Sequence, residues 1–92
     1  MATSPDFLKD PDDVLDYSFN WVDWLTTNEQ IVEFLALATP GITIDSTSNT
    51  DSVTTTWLSG GVAGSPYTVT HRIVTNQDRT VDRSMTIRVT SR

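Results

Sequence analysis

Val81-Asp82-Arg83-Ser84-Met85-Thr86-Ile87-Arg88-Val89 decides the fold class. Val81, Met85, Ile87 and Val89 alternate with Asp82, Ser84, Thr86 and Arg88, the period-two pattern of a strand buried on one face. Arg83 interrupts the apolar row. Upstream, Tyr67, Val69 and Ile73 alternate in the same way against Thr68, Thr70 and Arg72, and His71 falls in the apolar row. Asn76-Gln77-Asp78-Arg79 between the two runs reads as a hairpin loop. The predicted inner set is Tyr67, Val69, Ile73, Val81, Met85, Ile87 and Val89.

The same logic extends toward the N-terminus. Ser59-Gly60-Gly61-Val62-Ala63-Gly64-Ser65-Pro66 is a flexible connection, and Thr39-Pro40-Gly41 ends another segment. Threonine and serine dominate 43–59, interleaved with Val, Ile and Trp, which is strand composition. From Leu15 the odd positions Leu15, Tyr17, Phe19 and Trp21 form one apolar row. Strands are predicted at 14–21, 30–38, 42–46, 52–58, 67–75 and 80–90. The segment 29–38 would also tolerate a helix, with Asn28 as N-cap, but its closely spaced turn signals favour a strand. Short strands at this spacing predict an all-β, antiparallel β-sandwich over 13–92. Pro5 and Pro11 mark 1–12 as an extended acidic N-terminal arm.

Ninety-two residues make one domain. The chain has no cysteine, which removes disulfides, thiol chemistry and thiolate metal sites, and its single histidine makes a histidine metal site a poor prospect. No apolar run approaches the roughly 20 residues of a membrane span, and no signal-peptide pattern opens the chain, so a non-secreted protein with no membrane partner is expected. The net charge of −6 argues against nucleic acid as a partner. That charge is lopsided. Residues 1–45 hold nine acids and one base (−8), whereas 46–92 hold three acids and five arginines (+2). Such a chain can stack on copies of itself or on an oppositely charged neighbour.

Catalytic chemistry has little to stand on. His71 lies mid-strand with no serine in a nucleophile-elbow context, so a packed neutral imidazole is the expectation. Asp10-Pro11-Asp12-Asp13 is the densest carboxylate cluster, but the glycine and the terminal glutamate of a calcium loop are missing. A solvated docking segment is the better reading. Gly60-Gly61-Val62-Ala63-Gly64 lacks the lysine of a phosphate loop and reads as a turn. No cofactor, metal or catalytic residue is therefore assigned. In Trp21-Val22-Asp23-Trp24, Trp21 belongs to the core row, while Trp24 falls out of phase, where it either caps the sandwich or anchors a partner. Asp10, Asp12, Asp13, Asp23 and Trp24 form the candidate partner-binding set. Trp24 with Asp23 and Asn28 would also suit a sugar.

Two long stretches resemble one family. Lys9-Asp10-Pro11-Asp12-Asp13-Val14-Leu15-Asp16-Tyr17-Ser18-Phe19-Asn20-Trp21-Val22-Asp23-Trp24-Leu25 is similar to the opening of small tailed-bacteriophage proteins of the fiber–tail adaptor type. The second half, from Asp45 through Trp57-Leu58-Ser59-Gly60-Gly61 and Tyr67 to the closing Arg83–Val89, resembles them as well. Over 31–38 this chain is more apolar than the Ser/Thr-rich family pattern. The resemblance implies an Ig-like sandwich with Tyr67 as its corner tyrosine. It implies a non-enzymatic virion protein, without catalytic residues to carry over. The partners it implies are other virion structural proteins of tail, fiber or head, with multiple copies in a symmetric assembly. The alternative is capsid decoration or a surface recognition module binding carbohydrate or a host protein.

Overall fold

The computed structural model describes residues 6–91. Seven strands run in the order β1 (Asp6–Lys9), β2 (Leu15–Asn20), β3 (Ile31–Ala38), β4 (Ile42–Asn49), β5 (Val53–Gly60), β6 (Pro66–Thr75) and β7 (Thr80–Val89). They form two sheets, one of order β1-β7-β6-β3 and one of order β2-β5-β4. The residues described contain no helix, so 31–38 is strand, as its turn signals required.

The β6–β7 hairpin is the backbone of the larger sheet, in register from Pro66 opposite Arg88 to Val74 opposite Thr80. Its loop closes through Thr75 N–H to the Arg79 carbonyl (2.9 Å) and Asp78 N–H to the Thr75 carbonyl (3.0 Å). Asp78 takes a left-handed φ of 60°, which a short polar side chain tolerates. At the opposite end, the Tyr67 hydroxyl accepts the Val62 N–H at 2.9 Å and locks the β5–β6 connection. Gly41 lies against the Tyr67 ring, and a Cβ there would come within 2.8 Å of Cε1. Gly61 is equally confined, by a φ of +95° and by Val89.

The core lies between the sheets. Trp21, Leu58, Val69, Ile73, Met85 and Ile87 are fully buried. Val81 is the one member of the predicted inner set left partly buried, packed on the core margin. Arg83 keeps the inward phase after all: its guanidinium lies 4.3 Å from the Trp21 ring centroid. An arginine can occupy an apolar row where an aromatic face receives its cation.

His71 is fully buried and joins the two sheets. Its Nδ1 meets Thr54 Oγ1 at 2.7 Å and its Nε2 meets Thr56 Oγ1 at 3.1 Å. Thr54 Oγ1 also accepts Trp21 Nε1–H at 2.9 Å, and Thr56 Oγ1 donates to the Tyr17 carbonyl at 3.4 Å. One proton per hydroxyl then fixes the direction. Thr54 donates to Nδ1, so the imidazole proton is on Nε2 and is donated to Thr56. Burial holds His71 down at about 4, so the ring is neutral at pH 7.

One expectation needs correction. The acidic arm over 1–12 is not seen as an arm: residues 1–5 lie outside the described residues, and Asp6–Lys9 form β1 in the sheet. There Phe7 packs on Tyr17, with ring centroids 5.2 Å apart. Lys9 is buried, its ammonium donating to the carbonyls of Asp10 (2.9 Å) and Gly60 (2.7 Å). Asp-Phe-Leu-Lys is only four residues long, has no period-two alternation and lies between two prolines, so it reads as punctuation in a sequence. Within 13–92 every pair of hydrogen-bonded strands is antiparallel, as expected, and β1 joins the larger sheet parallel to β7.

Candidate functional site

The candidate residues sit at opposite ends of β2. Asp10-Pro11-Asp12-Asp13 forms the β1–β2 turn, while Asp23 and Trp24 lie in the turn that follows β2. The first cluster is a self-bonded turn: Asp13 N–H reaches the Asp10 carbonyl (3.0 Å), and Asp12 N–H reaches Asp10 Oδ1 (2.9 Å). Among the described residues, no group of three or more His, Cys, Asp or Glu side chains gathers as a metal site.

Trp24 is half-buried and has internal partners. Its ring meets Trp21 edge-on at 5.9 Å, and the Arg79 guanidinium lies over it at 3.9 Å. Arg79 in turn grips Glu29 with two bonds, Nε to Oε2 at 2.8 Å and Nη2 to Oε1 at 2.5 Å. The Arg79 guanidinium, aided by donors from Thr26 and Thr75, holds the Glu29 carboxyl well below the usual carboxylate range. This Trp–Arg–Glu clamp ties the 21–30 loop to the β6–β7 hairpin and closes that end of the sandwich, the capping geometry. Asp23 is exposed beside it.

Two surfaces were not singled out from the sequence. The first is the outer side of β3, the free edge of the larger sheet. A bulge between Ile31 and Glu33 leaves both Val32 and Glu33 exposed, and beyond it Leu35 and Leu37 face outward. A shallow pocket lined by Glu33, Phe34, Leu35, Arg72 and Val74 lies on this face. Beside it Arg72 pairs with Asp82 at 2.7 Å, both half-exposed. The second surface is the outer face of β2-β5-β4, where Trp57 is 41% exposed. Adjacent Trp57 and Leu58 cannot share a face of one strand. The inward Leu58 therefore sends Trp57 out and puts Thr54 and Thr56 in.

A profile of the family described as Podophage GP4 fiber-tail adaptor protein gp77 matches residues 9–88. No curated protein matches the chain. With nearly its whole length covered, the chain belongs to this phage fiber–tail adaptor family, and so to the structural proteins of the virion tail.

Proposed function

We propose that this fiber–tail adaptor family member is a non-enzymatic structural subunit, an Ig-like sandwich that joins neighbouring proteins of the virion tail. The strand order supports the Ig-like reading. Sheets β2-β5-β4 and β7-β6-β3, with β1 beside β7, follow the B-E-D and G-F-C arrangement of that fold. The Tyr67 hydroxyl on the backbone upstream of β6 repeats its tyrosine corner.

The observation that carries the binding role is the β3 edge. Native sheets blunt a free edge with charged side chains, proline, a bulge or a very short strand. Here the bulge and Glu33 protect only the start of the strand, and Phe34-Leu35-Ala36-Leu37-Ala38 beyond them has no charge and no proline. Val32, Leu35 and Leu37 on it are 56, 52 and 45% exposed. An apolar edge of this length suits a subunit whose neighbour covers it. The acidic turn carrying Asp10, Asp12 and Asp13 and, at the other end, Asp23 with the open rim of Trp24 supply charged contacts to basic partners. In this reading the protein is made in the host cytoplasm and acts in the virion, in several copies of a symmetric assembly, with neither nucleic acid nor membrane as partner. The net charge of −6 supports the exclusion of nucleic acid.

The test is the double variant Leu35→Lys/Leu37→Lys, assayed by thermal melt and by incorporation into particles. Both side chains are already half in water, so the melting temperature should stay within about 3 °C of the parent. Incorporation should fall about tenfold or more. Normal incorporation of the folded variant would overturn the role of the edge.

A further inference from the structure

We propose that the outer face of β2-β5-β4 is a second contact surface, on which Trp57 receives an arginine side chain from a neighbouring virion protein. This rests on the structural-subunit reading above and adds the chemistry of one partner.

Trp57 lies on β5, the central strand, directly opposite Asp16 of β2 in the ladder. Such pairs have Cβ atoms about 5 Å apart, so the carboxylate borders the indole ring. On the other side Trp57 is opposite Ser46 of β4. Here the register slips between Ile44 and Ser46, and Asp45 is the extra residue. The bulge leaves Asp45 exposed, and Ser59 Oγ, on Trp57's side of β5, donates to Asp45 Oδ1 at 2.9 Å. Bulges of this kind redirect a side chain where an interaction needs it. The outcome is one exposed indole with a carboxylate on each flank.

The rest of the face is mainly small hydroxyls, such as Ser18 bonded to Thr55 at 2.8 Å, with the Asn20–Val53 pair at one end. The three strands contain two acids, Asp16 and Asp45, and no lysine or arginine. Charge complementarity therefore asks for a cation. A planar guanidinium answers best, because it stacks on an aromatic ring while its N–H groups engage carboxylates. The chain uses the stacking twice internally, once together with a carboxylate. Arg79 stacks on Trp24 at 3.9 Å while gripping Glu29, and Arg83 stacks on Trp21 at 4.3 Å. Among the described residues, no cation is stacked on Trp57, whose ring and flanking carboxylates are open to solvent.

The indole N–H resonances of the three tryptophans report on this directly, with buried Trp21 and clamped Trp24 as internal controls. The full chain is titrated with the peptide acetyl-Gly-Arg-Gly-Arg-Gly-amide, with its glutamate counterpart, and with maltohexaose. The arginine peptide should shift the Trp57 resonance alone. Asp16→Asn/Asp45→Asn should weaken that response several-fold, and Trp57→Phe, which keeps a π face, should retain peptide binding. In particles, Trp57→Ala should be incorporated about tenfold less with an unchanged melting temperature. A Trp57 resonance moved by maltohexaose instead would make the face a sugar platform and overturn the proposal. So would a resonance unmoved by the arginine peptide, or normal incorporation of Trp57→Ala. If Trp57→Ala is incorporated normally while Leu35→Lys/Leu37→Lys is not, only the arginine contact fails. If both are incorporated normally, the role of the β3 edge fails with it, whereas absence of the parent chain from particles would overturn the structural-subunit reading itself.

Discussion

At the scale of single residues, His71 is the most consequential polar group in the core. Its phase was legible from the sequence, because it continues the row of Tyr67, Val69 and Ile73. Its partners were not. Thr54 and Thr56 look like solvent-facing hydroxyls until the relay from Trp21 through His71 to the Tyr17 carbonyl shows why they are buried. Because that hydroxyl row faces inward, Trp57 faces outward, and hydropathy alone had no means of choosing that phase. Protonation of His71 would turn Nδ1 into a donor aimed at a threonine already donating to it. The folded pKa of about 4 lies below the unfolded value near 6.5, so the unfolded chain binds more protons between them. The stabilisation is thus complete above pH 6.5 and is lost as pH falls toward 4. Chemical denaturation at pH 7 and pH 5 should show a loss of about 2 kcal/mol, ahead of most carboxylate titration. Thr54→Val, which strands Trp21 Nε1–H and His71 Nδ1, should cost about 2–4 kcal/mol at pH 7. A flat stability profile from pH 7 to 5 would contradict the neutral buried imidazole.

At the scale of elements, the long strands were readable and the short ones were not. β6 and β7 each have ten residues with a bordered alternation, whereas β1 has four. The segment that opens the chain was expected to be a solvated arm. Instead β1 covers the edge of β7, from Asp6 opposite Thr86 to Lys9 opposite Val89. Its ladder is completed past the strand end by Thr90 N–H to the Lys9 carbonyl at 2.8 Å. Removing residues 1–9 therefore tests two physical pictures. A solvated arm would leave stability unchanged. A seated strand takes with it the Phe7–Tyr17 contact and the Lys9 bonds to the Asp10 and Gly60 carbonyls, and it bares the β7 edge. The shortened chain should lose at least about 2 kcal/mol in denaturant melts and should self-associate in gel filtration. An equally stable, monodisperse truncation would restore the arm.

At the scale of the whole molecule, the charge split written along the chain is redistributed by the fold. β1 and β3 come from the acidic half but lie in the same sheet as β6 and β7, which carry three arginines. Polarity therefore runs between surfaces and ends rather than between sequence halves. The β2-β5-β4 face holds acids only, the β1–β2 turn concentrates Asp10, Asp12 and Asp13, and the β3 edge is mostly aliphatic. These surfaces should respond differently to salt. Exposed ion pairs contribute about 0–1 kcal/mol each and are screened over roughly 10 Å at 0.1 M ionic strength. Apolar contacts are not screened. Asp10→Asn/Asp12→Asn/Asp13→Asn should consequently reduce particle incorporation at low salt by severalfold, and the difference from the parent should vanish near 0.5 M. Since the Asp10 and Asp13 side chains also accept backbone bonds in their own turn, which asparagine can replace, the melting temperature of the triple variant should move by only a few degrees. The Leu35→Lys/Leu37→Lys defect should persist at every ionic strength. Incorporation of the triple variant equal to the parent at all salt concentrations would remove the acidic turn from the docking surface and leave the apolar edge, the Trp57 face and the Asp23–Trp24 rim as its determinants.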